Sequence, residues 1–146
     1  MTYKVTDNKE EMDIDAIHLY LTHSYWAKGV PKSVMIKAFE NSLCFAVIFE
    51  DDCSKKEQVG FARLITDYAT FAYLADVYIL KEHRGKGLSK LMMQQVINHP
   101  QLQGLRRIML ATKDAHGLYK QFGFTDLTEQ KTFMQLWTPD VYSQTP

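Results

Sequence analysis

The sequence predicts an α/β (α+β) fold in which a mixed β-sheet is flanked by helices. The run Leu43–Phe49 is wholly apolar, and Leu74–Leu80 is interrupted only by Asp76, so both have the composition of largely buried strands. Apolar residues then recur at helical spacing, at Leu88, Leu91, Met92 and Val96. The chain has 146 residues and is 46% hydrophobic, so we expect one domain, residues 1–146, with its own core.

Weaker patterns place the other elements along the chain. Asp13 and Ser33 are candidate N-caps of two helices that precede the first apolar run. Asp114 is a candidate N-cap of a short helix that ends before Gly123. The remaining strands are predicted at Tyr3–Thr6, Gln58–Ile65, Phe71–Leu80, Arg107–Ala111 and Thr132–Trp137.

A glycine-containing segment, Arg84–Ser89, joins the strand Leu74–Leu80 to the amphipathic helix. Gly85 and Gly87 allow a tight turn and a close approach of the backbone to a ligand. The helix that follows offers unpaired N–H groups and the positive end of its dipole, which together favour a phosphate anion. The spacing fits neither a dinucleotide-binding fingerprint nor a P-loop. A plain tight turn is the alternative interpretation.

A second motif, Ala115–Phe124, follows about thirty residues later. In this order and spacing, the two segments resemble the acetyl-CoA signature of the GNAT superfamily of N-acetyltransferases. Arg84, Gly87 and Ser89 take the places of the family's phosphate loop, with serine where glycine or alanine is usual. The matches in the second motif are Ala115, Leu118, Tyr119, Gly123 and Phe124. Thr112 stands where the family commonly has an asparagine that touches the pantetheine arm.

The resemblance implies a fold and an activity. The fold would be a single acetyltransferase domain with a mixed, mostly antiparallel sheet of about six to seven strands and about four helices. The activity would be direct transfer of the acetyl group of acetyl-CoA to a primary amine of a small molecule or peptide. A non-catalytic acyl-CoA-binding sensor or interaction module of the same fold is the alternative.

The resemblance also implies roles for individual residues. The cofactor-binding residues would be Val77, Tyr78, Ile79, Arg84, Gly85, Lys86, Gly87, Leu88, Ser89, Thr112 and Tyr119. A backbone N–H near Ile79 would stabilise the oxyanion. Tyr119 would act as general acid toward the leaving thiolate, because an ordinary phenol remains protonated at neutral pH.

The base and the acceptor pocket are less well defined by the sequence. Asp76 is a candidate base because a carboxylate in an apolar strand is costly unless it has a role, although a structural ion pair is nearly as good an explanation. His116 is a second candidate, since imidazole exchanges protons near neutral pH. Five aromatic residues are candidates for the acceptor pocket: Tyr25, Trp26, Tyr68, Phe71 and Tyr73.

Composition narrows the cellular setting and the partners. No apolar run approaches the length of a membrane span, and the N-terminus has no signal-peptide pattern. Two cysteines without paired Cys/His spacing argue against zinc and favour a reducing compartment, so we expect a cytoplasmic protein without a metal. Residues 81–113 contain seven Lys/Arg against one Asp/Glu, which suits a cofactor with phosphate groups.

Nucleic acid and membrane are not expected partners, because the basic patch is short and the net charge is zero. A homodimer is possible. The exposure of Phe133, Leu136 and Trp137 near the C-terminus bears on that question.

Overall fold

The computed structural model describes residues 1–143 and contains a five-stranded sheet with the order β1-β2-β3-β4-β5. The strands are β1 (Thr2–Thr6), β2 (Leu43–Glu50), β3 (Lys56–Thr66), β4 (Phe71–Ile79) and β5 (Arg107–Leu110). The helices are α1 (Ile14–Thr22), α2 (Lys32–Glu40), α3 (Leu88–Ile97) and α4 (His116–Lys120). Strands β1 to β4 pair antiparallel in chain order, and β5 joins β4 in parallel. The predicted fold class is confirmed.

The core lies on both faces of the sheet. One cluster packs α3, through Met92, Met93 and Val96, against the apolar side chains of β2 to β4. The other packs α1 and α2 against the opposite face, around Phe61 and Tyr78. Because both faces are covered, β2 reads as a continuous apolar run rather than an alternating one.

The helix starts agree with the sequence in part. The Asp13 carboxylate accepts a hydrogen bond from the N–H of Ala16 at the start of α1, so its predicted capping role is confirmed. Ser33 does not cap α2, which begins directly after Pro31, a residue whose fixed φ already suits a helix start. Asp114 does not cap α4 either, since the Thr112 hydroxyl accepts the N–H of Ala115 instead. No helix in residues 1–143 is long and apolar enough to cross a bilayer.

The sheet has fewer strands than the six to seven that the resemblance implies. The segment Thr132–Trp137, predicted as a strand, is not one. A 3₁₀ turn at Gln130–Thr132 leads into it, and the residues after the turn pair with no strand in residues 1–143. Met134 and Leu136 there are 97% and 100% exposed. A segment of strand-favouring residues becomes a strand only beside a neighbour that satisfies its N–H and C=O groups, and this segment has none among residues 1–143.

Gly60, near the middle of β3, gives a test of how β3 packs against its neighbours β2 and β4. An added Cβ would lie 2.6 Å from Cδ1 of Ile79 and 3.0 Å from Cγ2 of Val47. We expect Gly60→Ala to lower the free energy of unfolding by about 1–3 kcal/mol, because the core has no room for the methyl group. Urea denaturation measures this.

Gly117→Ala is the matched control, because a Cβ at Gly117 meets nothing within 4 Å and lies in a helix, where alanine is favoured. A Gly60→Ala protein as stable as this control would contradict the described packing.

Candidate active site

The site is built around a divergence of β4 from β5. The two strands pair only from Phe71–Arg107 to Leu74–Leu110, whereas β4 continues to Ile79. The register of β4 against β3 shifts opposite Phe61/Arg63, and Asp76 at this bulge has φ of 56°, in the left-handed region. A bulge bends its strand and increases the local twist, so the second half of β4 leaves β5 and opens a gap.

The backbone of β4 faces this gap beyond Leu74. The N–H of Leu80 donates to the carbonyl of Val59 on β3 at 2.8 Å. Because successive N–H groups of a strand point to opposite edges, the N–H of Ile79 points to the β5 edge. Among the residues that the structure describes, no strand pairs with this edge of β4 beyond Leu74, so the N–H of Ile79 is open to a ligand in the gap.

The segment after β4 forms a cluster of hydrogen-bond donors. Gly85 and Gly87 have φ of 78° and 74°, which only glycine adopts readily. Within residues 1–143, the six N–H groups from Gly85 to Lys90 have no acceptor, and the first bond into α3 is from Leu91 to the carbonyl of Gly87. Six successive free donors beside a helix N-terminus make an anion cradle.

Arg84 fixes this cradle to the strand end. Its Nε donates to the carbonyl of Ile79 at 2.8 Å, and its Nη2 donates to the Tyr20 hydroxyl at 3.2 Å. The Leu88 side chain is buried in the core, so only its backbone faces the cradle. The Lys86 side chain is exposed.

A cavity of about 1040 Å³ joins the gap to the space beneath α1 and α2. It brings together Tyr25, Trp26, Tyr73, Asp76, Val77, Tyr78, Ile79, Arg84, Ser89, Thr112 and Tyr119. Tyr68 and Phe71 do not line it; they lie exposed at the β3–β4 turn. His116 is also outside, in a separate groove beside β5. The predicted site residues thus meet in one cavity, except for these three and the Gly85–Leu88 cradle at its edge.

Tyr119, on α4, lines the main cavity. It is 7% exposed, and its ring packs edge-on against Phe124, with centroids 5.8 Å apart. Burial raises the pKa of the Tyr119 phenol above its ordinary value. Within residues 1–143, every side-chain oxygen that is closed off from solvent has a hydrogen-bond partner. The Tyr119 hydroxyl has no such partner there, so it is accessible to solvent. It is therefore a protonated donor that is open to solvent, and Tyr119 lines both the main cavity and the groove beside β5.

Asp76 is held by two partners at the centre of the cavity. Arg63 Nε donates to its Oδ2 at 2.7 Å, and Trp26 Nε1 donates to its Oδ1 at 2.8 Å. The side chains of Arg63 and Asp76 are only 17% and 10% exposed. The Arg63 Nη1 also donates to the Ser42 hydroxyl. This network ties the bulge of β4 to the loop that follows α1.

The site thus combines two features: a strand pair that separates at a bulge, and a glycine cradle directly after it. A family model for the Acetyltransferase (GNAT) family matches residues 9–124. The protein belongs to the GNAT acetyltransferase family. A solved GNAT-family structure from Xanthomonas campestris is 46% identical and superposes with a TM-score of 0.90 over 99% of both chains.

Other GNAT-related proteins are more distant. A Gibberella zeae protein with a provisional acetyltransferase name is 36% identical over 87% of this chain and 81% of its own length. The thialysine N-epsilon-acetyltransferase of Bos taurus is 33% identical over 49% of this chain and 46% of its own length. A Clostridium acetobutylicum acetyltransferase solved with acetyl-CoA shares the fold, at 18% identity and a TM-score of 0.65 over 92% of this chain.

Two aromatic features of this GNAT site were not predicted from the sequence. The Tyr78 ring stacks on Tyr20 with centroids 3.8 Å apart, so the Tyr78 side chain faces α1, while its backbone is part of β4. Burial raises the pKa of Tyr78. Lys113 places its Nζ 4.1 Å from the centroid of the Tyr25 ring, a cation–π contact at the cavity wall.

Cys44 is not suited to carry an acyl group in this GNAT site. It is fully buried in β2, and burial raises the pKa of its thiol to about 11. The thiolate that a nucleophile needs is therefore scarce at neutral pH.

Sequence reasoning missed Arg63. The signal was present: a basic residue lies in the predicted strand Gln58–Ile65, one strand away from the acidic Asp76. Burial of either charge alone is costly, so each implies the other. The pairing was not evident because the bulge at Asp76 shifts the register.

The ion pair allows a stability test. Arg63→Leu should lower the free energy of unfolding by about 3 kcal/mol, because it leaves the Asp76 carboxylate buried without its partner. Adding Asp76→Asn should recover about half of this loss, since asparagine also tolerates the left-handed conformation. Chemical denaturation of the two single variants and the double variant measures the coupling.

The exposed pair of Lys4 and Glu11 supplies the control. Lys4→Leu should change the free energy of unfolding by less than about 1 kcal/mol. Strictly additive losses at Arg63 and Asp76 would mean that the two side chains are not coupled.

Proposed function

We propose that this protein transfers the acetyl group of acetyl-CoA directly to a primary amine of a small molecule or peptide. The observation that carries the proposal is the run of six free N–H donors, Gly85 to Lys90, at the point where β4 leaves β5. Acetyl-CoA carries a pyrophosphate and an amide-containing arm, and the cradle and the free edge of β4 match these two parts.

The cofactor would lie along the elements that bound the gap. The N–H groups of Gly85, Gly87, Leu88 and Ser89 would hold the pyrophosphate, with Lys86 adding positive charge. The main chain of Val77 to Ile79 would pair with the pantetheine arm in the manner of an added strand. Thr112 keeps a donor for that arm, because its hydroxyl oxygen accepts from Ala115 and its proton remains available.

The chain's own residues would manage the charges of the transfer. When the amine attacks the thioester carbon, negative charge develops on the carbonyl oxygen, and the N–H of Ile79 is the donor that faces it. As the carbon–sulfur bond breaks, the Tyr119 hydroxyl protonates the departing thiolate of CoA. The raised pKa of Tyr119 keeps this proton in place through the neutral range.

Proton removal from the amine would fall to Asp76 or His116. Each oxygen of the Asp76 carboxylate accepts one hydrogen bond, from Arg63 or Trp26, and keeps a second lone pair for a water molecule or an amine. Asp76 lines the main cavity, whereas His116 lies in the groove on the other side of Tyr119. Position therefore favours Asp76 as the group that meets the acceptor.

The aromatic wall supports an amine acceptor. Tyr25, Trp26 and Tyr73 line the cavity on the side of α1, and aromatic faces attract cations. The bovine relative is named for acetylation of the side-chain amine of thialysine, which is a primary amine. The second candidate, a non-catalytic acyl-CoA sensor, would use the same cradle without Tyr119.

A cytoplasmic location and a single domain over residues 1–146 belong to the proposal. The state of the cysteines supports the location: Cys44 is buried and Cys53 exposed, and both are free. The one sheet, with helices packed on both faces, supports the single domain.

Calorimetric titration with acetyl-CoA, with NAD and ATP as controls, tests the proposal. We expect selective binding of acetyl-CoA with a Kd in the micromolar range, which corresponds to a binding free energy of about −8 kcal/mol. An amine screen that detects released thiol then separates the enzyme from the sensor. Equal binding of acetyl-CoA, NAD and ATP, or no binding of acetyl-CoA, would contradict the proposed acetyl-CoA site.

Tyr119→Phe tests the general acid. We expect kcat to fall by about 10²-fold, because the departing thiolate loses its proton donor. Binding of acetyl-CoA should stay within about twofold, since the ring and its packing remain. Stopped assays of thiol release and calorimetry give the two values.

Tyr3→Phe is the matched control: Tyr3 lies on β1 outside the cavity and bonds His83. If Tyr119→Phe matched this control at every pH, Tyr119 would not be the acid.

Asp76→Asn and His116→Ala separate the two candidate bases. At low pH most of the amine carries a proton, so the base matters most there. We expect Asp76→Asn to lower kcat/KM most at low pH and His116→Ala to leave the pH–rate profile unchanged. The reverse pattern would assign the role to His116, and two unaltered profiles would reject both.

A further inference from the structure

Lys113 places a positive charge at the wall of the main cavity. It follows Thr112 in the loop between β5 and α4, and its side chain reaches Tyr25 in the loop between α1 and α2. Its Nζ lies 4.1 Å from the centroid of the Tyr25 ring. Both residues line the cavity, so the lysine joins two loops at one place on its wall.

No acidic side chain of residues 1–143 neutralises this lysine. The two arginines of the cavity are engaged, since Arg63 bonds the Asp76 carboxylate and Arg84 bonds the main chain at the end of β4. Asp114 also lines the cavity, but it forms no ion pair with Lys113. Among the lysines and arginines of the wall, Lys113 is therefore the one whose charge is open to a ligand.

The contact with Tyr25 leaves Lys113 able to bind an anion. An aromatic face attracts an ammonium through its quadrupole and does not neutralise its charge. An ammonium has three N–H donors, and those turned away from the ring remain for an acceptor oxygen. Lys113 also covers this face of Tyr25, so a second cation gains nothing there and is repelled.

The cavity has charges of opposite sign at different depths. The Asp76 side chain is 10% exposed, whereas Tyr25 is 63% exposed and Lys113 lies beside it. Trp26 separates the two ends: its Nε1 donates to Asp76, and its ring packs edge-on against Tyr25 with centroids 5.1 Å apart. A ligand that meets both ends must therefore extend past two aromatic rings. The α-amine of a free amino acid, one carbon from its carboxylate, is too close to it.

We propose that the acceptor is a primary amine with a carboxylate several bonds away, and that Lys113 binds this carboxylate. The inference rests on the proposed acetyl transfer and adds the class of acceptor. The amine would lie near Asp76, and the carboxylate would lie at Lys113 beside Tyr25. One lysine supplies a single charge, which suits a carboxylate, whereas a phosphate dianion calls for more donors.

The position of Lys113 determines which kinetic constant it affects. It would contact the end of the acceptor that is remote from the reacting atoms, so the contact is the same before and during the transfer. Such uniform binding lowers KM and leaves kcat unchanged. A loop residue with only a structural role would not distinguish between acceptors by their charge.

Three amines of similar length test the assignment. The far end is a carboxylate in ε-aminocaproate, a neutral amide in ε-aminocaproamide and a second ammonium in cadaverine. We expect kcat/KM to fall in this order, by roughly 5-fold at each step through KM, as exposed charges allow. Added salt should weaken the order because the charges are exposed.

Variants of the lysine supply the decisive comparison. Lys113→Gln should make the three amines react alike, and Lys113→Glu should reverse their order. Lys113→Arg should keep the order, since arginine retains the charge and also stacks on aromatic rings. Lys37→Gln, at an exposed lysine of α2 outside the cavity lining, is the matched control. Equal kcat/KM for the three amines, or an unchanged order in Lys113→Glu, would overturn the proposal.

A binding measurement separates this proposal from the acetyl transfer. If acetyl-CoA binds and no amine releases thiol, the transfer is wrong, and calorimetry on the CoA-saturated protein then tests Lys113 alone. We expect ε-aminocaproate to bind more tightly than ε-aminocaproamide, and Lys113→Gln to remove the difference. Equal binding of the two would overturn the carboxylate site. Tighter binding of aminopentyl phosphate than of ε-aminocaproate would overturn the choice of a carboxylate.

Discussion

The ion pair between Arg63 and Asp76 is the interaction on which the site depends. Asp76 is a non-glycine residue in the left-handed region, which costs about 1–2 kcal/mol. The bonds from Arg63 and Trp26 hold it there, because neither charge can lose its partner in this buried place without a larger penalty. The bulge that results separates β4 from β5 and exposes the main chain of Val77 to Ile79. A backbone conformation that is unfavourable by itself thus makes the ligand gap.

The same interaction explains why the two halves of the cavity are connected. Asp76 lies on β4, whereas Trp26 lies in the loop after α1 and Ser42 directly precedes β2. Arg63 reaches both sides through its forked guanidinium, a geometry that lysine cannot reproduce. The two halves of the main cavity are therefore positioned relative to each other by side chains that also stabilise the fold.

Local sequence patterns predicted the parts of the molecule that depend on local chemistry. The glycines of Arg84–Ser89 need their positive φ angles whatever packs around them, and Tyr119 follows from its motif. Arg63 was missed because its partner is set by a register shift between strands, which no local pattern encodes. Tyr68 and Phe71 were placed in the pocket by residue type, yet the β3–β4 turn carries them out of it. The strand predicted at Thr132–Trp137 failed because strand formation needs a neighbour.

The C-terminal part of the described residues contributes to the wall of the main cavity. Tyr142 lines the main cavity and packs beside Gly29, in the loop between α1 and α2. Expression tags are usually fused at whichever terminus is convenient, and here the two termini are not equivalent. The N-terminal amine pairs with Asp52 at an exposed turn. A change near Tyr142 would therefore alter the wall of the main cavity, whereas Met1 and Asp52 lie outside its lining.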